Sequence, residues 1–192
     1  MLSVRATTLA QTHAVAAAVA AVARSGDLIV LAGEMGAGKT AFAQGFGRAL
    51  GISEPITSPT YTLVHSYPVG RLTLHHADIY RLNSLHEIAD LALPELLEAN
   101  GLVLVEWGDV VESSWGDHLL IQLRHVDEFD VALATSADDQ HDDQRDDLHD
   151  DQHDDQHDDL HDDQRRDITI VPTGRAWAPR WEQMQRLVSA AC

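Results

Sequence analysis

Two runs of unbroken apolar residues, Leu28-Ile29-Val30-Leu31 and Leu102-Val103-Leu104-Val105, stand out along the chain. A strand that is apolar at every position is covered on both faces, as in a parallel sheet sandwiched between helices. Ala10 to Arg24 predicts a helix closed by Ser25-Gly26. Ala41 to Leu50 predicts another, with Gly51 at its stop. Leu2 to Ala6 reads as a short edge strand. Tyr61 to Tyr67 and Leu72 to His76 read as a hairpin joined by Pro68-Val69-Gly70. Residues 84 to 99 carry one or two short helices, interrupted near Pro94. Leu119 to Val126 and Ile168 to Val171 are late strands, and a last helix runs from about Pro179 to Ala190. Helices and strands mix throughout. The expectation is one α/β domain, a mixed sheet flanked by helices with antiparallel strands at its edge.

The periodicity fails in one place. Residues 138 to 165 are seven tandem tetrapeptides of the form Asp-Asp-[Gln/Leu]-[His/Arg]. Through Asp167 this stretch holds fifteen aspartates and three arginines, a net of −12 out of −18 for the whole chain. Its only apolar residues are Leu148 and Leu160. Such a segment cannot bury enough surface to offset chain entropy, so it reads as disordered. Its five histidines alternate with aspartate pairs but lack the fixed geometry of a metal site, and we read them as part of a solvated spacer. The predicted organisation is therefore a core over 1–137, an insertion over 138–167, and a strand and helix over 168–192 that complete the core.

Charge and cysteine content narrow the function classes. Outside the repeat the net charge is still −6, with no basic patch interleaved with aromatics, so direct nucleic-acid binding is not expected. The single cysteine, Cys192, allows no intrachain disulfide and fits a reducing cytoplasm. No membrane-spanning segment is expected. The alanine-rich stretch from Ala10 contains Gln11, Thr12 and His13 and leads straight into the first buried strand, which favours an amphipathic helix over a signal peptide.

The candidate chemistry lies directly after that strand. Gly33-Glu34-Met35-Gly36-Ala37-Gly38-Lys39-Thr40 fits the phosphate-loop pattern G-x-x-x-x-G-K-[ST] without a mismatch. Lys39 is the only lysine of the chain, against twelve arginines. A compact ammonium reaches β- and γ-phosphates inside a backbone cradle where a planar guanidinium does not fit. The glycines let backbone N–H groups converge on an anion at a helix start, and Thr40 offers a hydroxyl to Mg2+. Gly33, Gly36, Ala37, Gly38, Lys39, Thr40 and Ala41 form the expected nucleotide-binding set, in a single P-loop NTPase domain. Three further clusters join them. Ser58-Pro59-Thr60-Tyr61-Thr62 is a stiff hydroxyl-bearing loop, either a γ-phosphate sensor or a locally capped turn. Asp78 lies just past a predicted strand, where a carboxylate orients metal-bound water. Tyr80 follows it, and Arg81 either neutralises phosphate or makes a surface ion pair. Glu106 ends an apolar strand, the position of the second magnesium-site acid in phosphate-loop enzymes, usually aspartate, or else it is a helix-capping or solvent glutamate. Trp107 after it is a core anchor or a partner-facing aromatic.

Taken together, Gly33–Thr40, Ser58-Pro59-Thr60-Tyr61-Thr62-Leu63-Val64, His76-x-Asp78-x-Tyr80-Arg81-Leu82 and Val105-Glu106-Trp107 resemble the bacterial TsaE family. The resemblance covers about residues 1 to 126 and, more loosely, 168 to 192. It implies an Mg2+-dependent ATPase, slow alone, that works with TsaB- and TsaD-type partners. Those partners install threonylcarbamoyl on adenosine 37 of tRNA, which this chain would meet only indirectly. It also implies that Lys39 and Thr40 hold ATP and metal, that Glu106 is the magnesium acid, and that Thr60 and Asp78 are switch residues. Ser58, Tyr80, Arg81 and Trp107 are candidate switch or partner positions. Ala77, the stretch Leu91–Leu97 and the acidic repeat depart from the family pattern. A GTPase would need an Asn-Lys-x-Asp element, which a chain without a second lysine lacks. The alternatives that remain are a P-loop small-molecule kinase and a nucleotide-controlled assembly scaffold with incidental hydrolysis.

Overall fold

The computed structural model describes residues 1–82, 84–109, 115–126 and 164–192. Its seven strands are β1 (Leu2–Ala6), β2 (Leu28–Ala32), β3 (Val64–Val69), β4 (Leu72–Asp78), β5 (Gly101–Glu106), β6 (His118–His125) and β7 (Arg166–Thr173). They form one sheet in the order β1-β7-β6-β2-β5-β4-β3. The four central strands β6, β2, β5 and β4 are parallel. The outer pairs β3–β4, β6–β7 and β1–β7 are antiparallel. The two unbroken apolar runs are neighbours at the centre, and every residue of β2 and β5 is buried.

Period-two alternation divides the buried side chains between the two faces of the sheet. Ile29, Leu31, Leu102, Leu104, Leu119, Ile121 and Leu123 meet helices α1 (Leu9–Ala20), α2 (Lys39–Leu50) and the last helix, α5 (Trp181–Ser189). Leu28, Val30, Val103 and Val105 face the short helices α3 (Leu85–Ala89) and α4 (Leu93–Glu98). A 3-10 turn, Ala178–Arg180, leads into α5. There Arg180 forms a buried two-point ion pair with Asp27, at 2.6 and 2.7 Å, and also donates to the carbonyls of Val22 and Ala176.

Several expectations need correction. Tyr61 to Leu63 form turn rather than strand, because the Leu63 N–H bonds the Pro59 carbonyl and Leu63 adopts a left-handed φ of 64°. Pro68 is a strand residue; it sits in the edge strand β3, and the hairpin turns at Gly70. The short helices expected over residues 84 to 99 are present as two, and Pro94 lies in the first turn of α4. The break falls at Ala92, whose φ is 50°. Helix α1 ends at Ala20, short of Arg24. Arg166 and Asp167, counted with the repeat, belong to β7, where Asp167 pairs with Arg5 at 2.7 Å. Residues 138–163 of the repeat lie outside the described residues.

Candidate functional site

The parallel strands all point one way, and the carboxyl ends of β2, β4 and β5 gather the sequence motifs at one edge of the sheet. After β2 the chain turns through Gly33, whose φ of 138° and close approach to the Leu123 carbonyl leave no space for a Cβ. Gly38, at φ 99°, is the N-cap of α2 and supplies no side-chain cap. The first amides of that helix therefore stay available to an anion.

Lys39 is 5% exposed, and its Nζ donates to the carbonyls of Gly33 and Glu34, both at 2.8 Å. The ammonium also lies 3.6 Å from the centre of the Trp107 ring. Burial pushes the lysine below its ordinary range, against the opposing pull of Glu106, Asp109, Asp78 and Glu34. Trp107 reaches this position because it leaves β5 at a left-handed φ of 66°, held by its N–H on the Leu31 carbonyl. Such a conformation is strained for a bulky residue, and here it aims an aromatic face at the lysine. Tyr80 packs on the same Trp107 ring, with centroids 4.8 Å apart.

Thr40, in the first turn of α2, donates its hydroxyl to Glu106 Oε1 at 3.0 Å and approaches Oε2 at 3.2 Å. Glu106 is buried and accepts a second bond from His76 Nε2 at 2.9 Å. Across the cleft, Ser58 and Thr60 donate to Asp78 Oδ2 at 2.8 and 2.7 Å, and the Tyr80 N–H bonds Oδ1 at 2.9 Å. Asp78 thereby fixes the hydroxyl loop opposite the glycine loop. Arg81 lies over the Tyr61 ring at 4.4 Å, at the rim. The resulting cleft, about 460 Å³, brings together Gly36, Gly38, Lys39, Thr40, Ala41, Ser58, Thr60, Asp78, Tyr80, Arg81, Glu106 and Trp107. Gly33 and Ala37 complete the loop from behind.

Two residues escaped the sequence reading. His76 was seen only as part of a motif, although alternation along β4 puts it on the same face as Asp78. Arg166 was hidden in the charged repeat. It donates to the carbonyls of Ala37 at 2.9 Å and Gly36 at 3.3 Å, which ties β7 to the glycine loop. No local signal marks it.

Comparison with known proteins bears on the same residues. The family described as threonylcarbamoyl adenosine biosynthesis protein TsaE matches residues 6–134, which include all of these motifs. The chain belongs to the TsaE family. Among its relatives, the Bacillus subtilis tRNA threonylcarbamoyladenosine biosynthesis protein TsaE is 43% identical over 102 residues, 53% of this chain and 63% of that one. Its Treponema pallidum namesake is 45% identical over 100 residues, 52% of this chain and 73% of that one. The aligned stretch thus spans a little under two thirds of the Bacillus relative. The crystal structure of Bacillus subtilis YdiB superposes with a TM-score of 0.64 at 26% identity, covering 96% of this chain and 94% of that one. No helix among the described residues is long and apolar enough to cross a membrane.

Proposed function

We propose that this TsaE-family chain is an Mg2+-dependent ATPase of the cytoplasm that serves the threonylcarbamoylation of tRNA adenosine 37 together with TsaB- and TsaD-type partners. The observation that carries this reading is the contact of Thr40 with Glu106 beside Lys39 in one cleft. A hydroxyl and a carboxylate make an oxygen pair suited to Mg2+, which typically takes one or two protein oxygens and completes its shell with phosphate and water. Two protein oxygens, one from Thr40 and one from Glu106, fit an ion shared with a nucleotide.

In this reading the α2 amides and Lys39 bind the β- and γ-phosphates. Lys39 exchanges the two loop carbonyls for phosphate oxygens, and its desolvation strengthens that pairing. Thr40 and Glu106 would hold Mg2+, which would supply neutralising charge to the nucleotide's phosphates. Thr60 and Asp78, which line the same cleft, would orient the attacking water, and the Ser58–Asp78 bond keeps that loop in place. Positive charge for the transition state is thin: Arg81 is committed to the Tyr61 ring at the rim. Turnover by the lone chain should therefore be slow, and a partner that reorders Tyr61 and Arg81 should raise it. Steady-state ATP hydrolysis, measured alone and with the two partners, tests this. A rise of tenfold or more that Arg81→Ala blunts is the expected result. Rapid hydrolysis indifferent to the partners would favour a kinase or independent ATPase. Nucleotide-dependent assembly without hydrolysis would favour a scaffold.

A further inference from the structure

His76 is fully buried on β4, on the face that carries Leu74, with Leu104 beside it on β5 and His65 beside it on β3. Its one hydrogen bond among the described residues is the 2.9 Å contact from Nε2 to Glu106 Oε1; Nδ1 is buried without a partner. A carboxylate only accepts, so Nε2 carries the proton and donates. A neutral ring in this tautomer leaves a bare acceptor at Nδ1, and the imidazole's single polar engagement is with Glu106. Core packing alone would be better served by leucine at this position, since a buried polar ring without full satisfaction costs free energy. The polar choice is accounted for by what the ring does to its neighbour.

Glu106 has three side-chain torsions and sits at the end of its strand. Its carboxylate is held by donors from two other elements: His76 on β4 and Thr40 at the start of α2. Both donors reach Oε1, and the Thr40 hydroxyl also lies 3.2 Å from Oε2, so the carboxylate is turned with both oxygens toward Thr40. We infer that His76 is a positioning residue for Glu106, holding its carboxylate toward Thr40 and thereby setting the affinity of the site for a divalent cation. The inference rests on the reading that Thr40 and Glu106 hold Mg2+.

The test uses the full chain with ADP and Mn2+ as the spectroscopic stand-in for Mg2+. Free Mn2+ is titrated by electron paramagnetic resonance, and ADP affinity in chelator is measured in parallel by calorimetry. Outer-shell partners of a metal site typically contribute about 10- to 100-fold in affinity, so His76→Ala should weaken Mn2+ binding to the ADP complex by that amount. His76→Gln places an N–H near the position of Nε2 and should restore binding to within about threefold. His76→Asn, whose amide stops near Nδ1, should not. ADP affinity in chelator should be unchanged in all three. If His76→Ala fails to fold, as judged by its melting curve, the Gln and Asn variants decide: equal Mn2+ affinity would overturn the inference. Wild-type Mn2+ binding by His76→Ala, with Glu106→Gln impaired, would overturn the role of His76 and leave the metal reading standing. Wild-type Mn2+ binding by Glu106→Gln would overturn both.

Discussion

Lys39 spends its positive charge on two carbonyls of its own loop and on an indole face. None of these partners is anionic, so a phosphate competes with them on favourable terms. Lys39→Ala should lower ATP affinity about 10- to 100-fold, the weight of one or two hydrogen bonds to a charged group. Lys39→Arg should do nearly as badly, because a fork wider than an ammonium must enter a position that is 5% exposed and capped by Trp107. Calorimetric ATP affinity of either variant at the wild-type value would remove Lys39 from the site. A second buried charge works differently. Asp27 holds Arg180 at the end of β2 remote from the cleft. Asp27→Ala would strand a buried guanidinium at a cost of about 3–5 kcal/mol. A melting temperature lower by roughly 6–20 °C is expected, with ligand affinity intact at temperatures where the variant stays folded. Loss of affinity without loss of stability would contradict this division. Lys39 and Thr40 were legible from the glycine loop that leads into α2, and Asp78 and Glu106 because each closes a strand. The Trp107 ring over Lys39 was not, since it depends on a single left-handed residue that composition does not announce.

Secondary elements meet the site through close backbone approaches. Strand β5 carries Glu106 at its far end and begins at Gly101, whose carbonyl accepts the Gly26 N–H at 2.7 Å. A Cβ at Gly101 would stand 1.9 Å from the Leu96 carbonyl oxygen, a backbone atom of α4 that cannot rotate away. Gly101→Ala should therefore displace α4 and destabilise the fold by about 1–3 kcal/mol, the usual range for overpacking. Denaturant unfolding measures it, and a change under 0.5 kcal/mol would show that α4 yields freely. The two apolar runs marked β2 and β5, and the loop and helix between them followed from glycine placement. The α3–α4 stretch was harder. Its elements are five and six residues long, too short for a periodic pattern, and a proline there both breaks and starts helices. The Tyr61–Leu63 turn was lost to β propensity for a similar reason. Its aromatic and β-branched residues favour strand, while the Pro59 carbonyl and the left-handed Leu63 bend the chain.

At the scale of the molecule, the acidic repeat is an interruption that the sheet has already closed around. His125 pairs with Arg166 across β6 and β7, with the intervening chain leaving and returning at adjacent positions. The hairpin partners, the β1 pairing and the Arg166 bonds to the glycine loop all lie among the described residues outside the repeat. Deleting residues 138–163 shortens the connection from about forty residues to about fourteen. Treated as a free chain, that change lowers the closure cost by roughly 1 kcal/mol, since each doubling of length costs about 0.6 kcal/mol. For a domain of this size the melting temperature should rise by about 2–4 °C. Gln164 must be kept, because it accepts the Leu9 N–H at the start of α1. ATP affinity at physiological salt should change little, because exposed charges farther apart than a Debye length of about 8 Å are largely screened. Thermal unfolding and calorimetry on the deletion measure both quantities. A fall of more than about 5 °C would mean that the repeat supplies packing that closure entropy does not account for, and the chain would then need to be treated as one structural unit across the insertion.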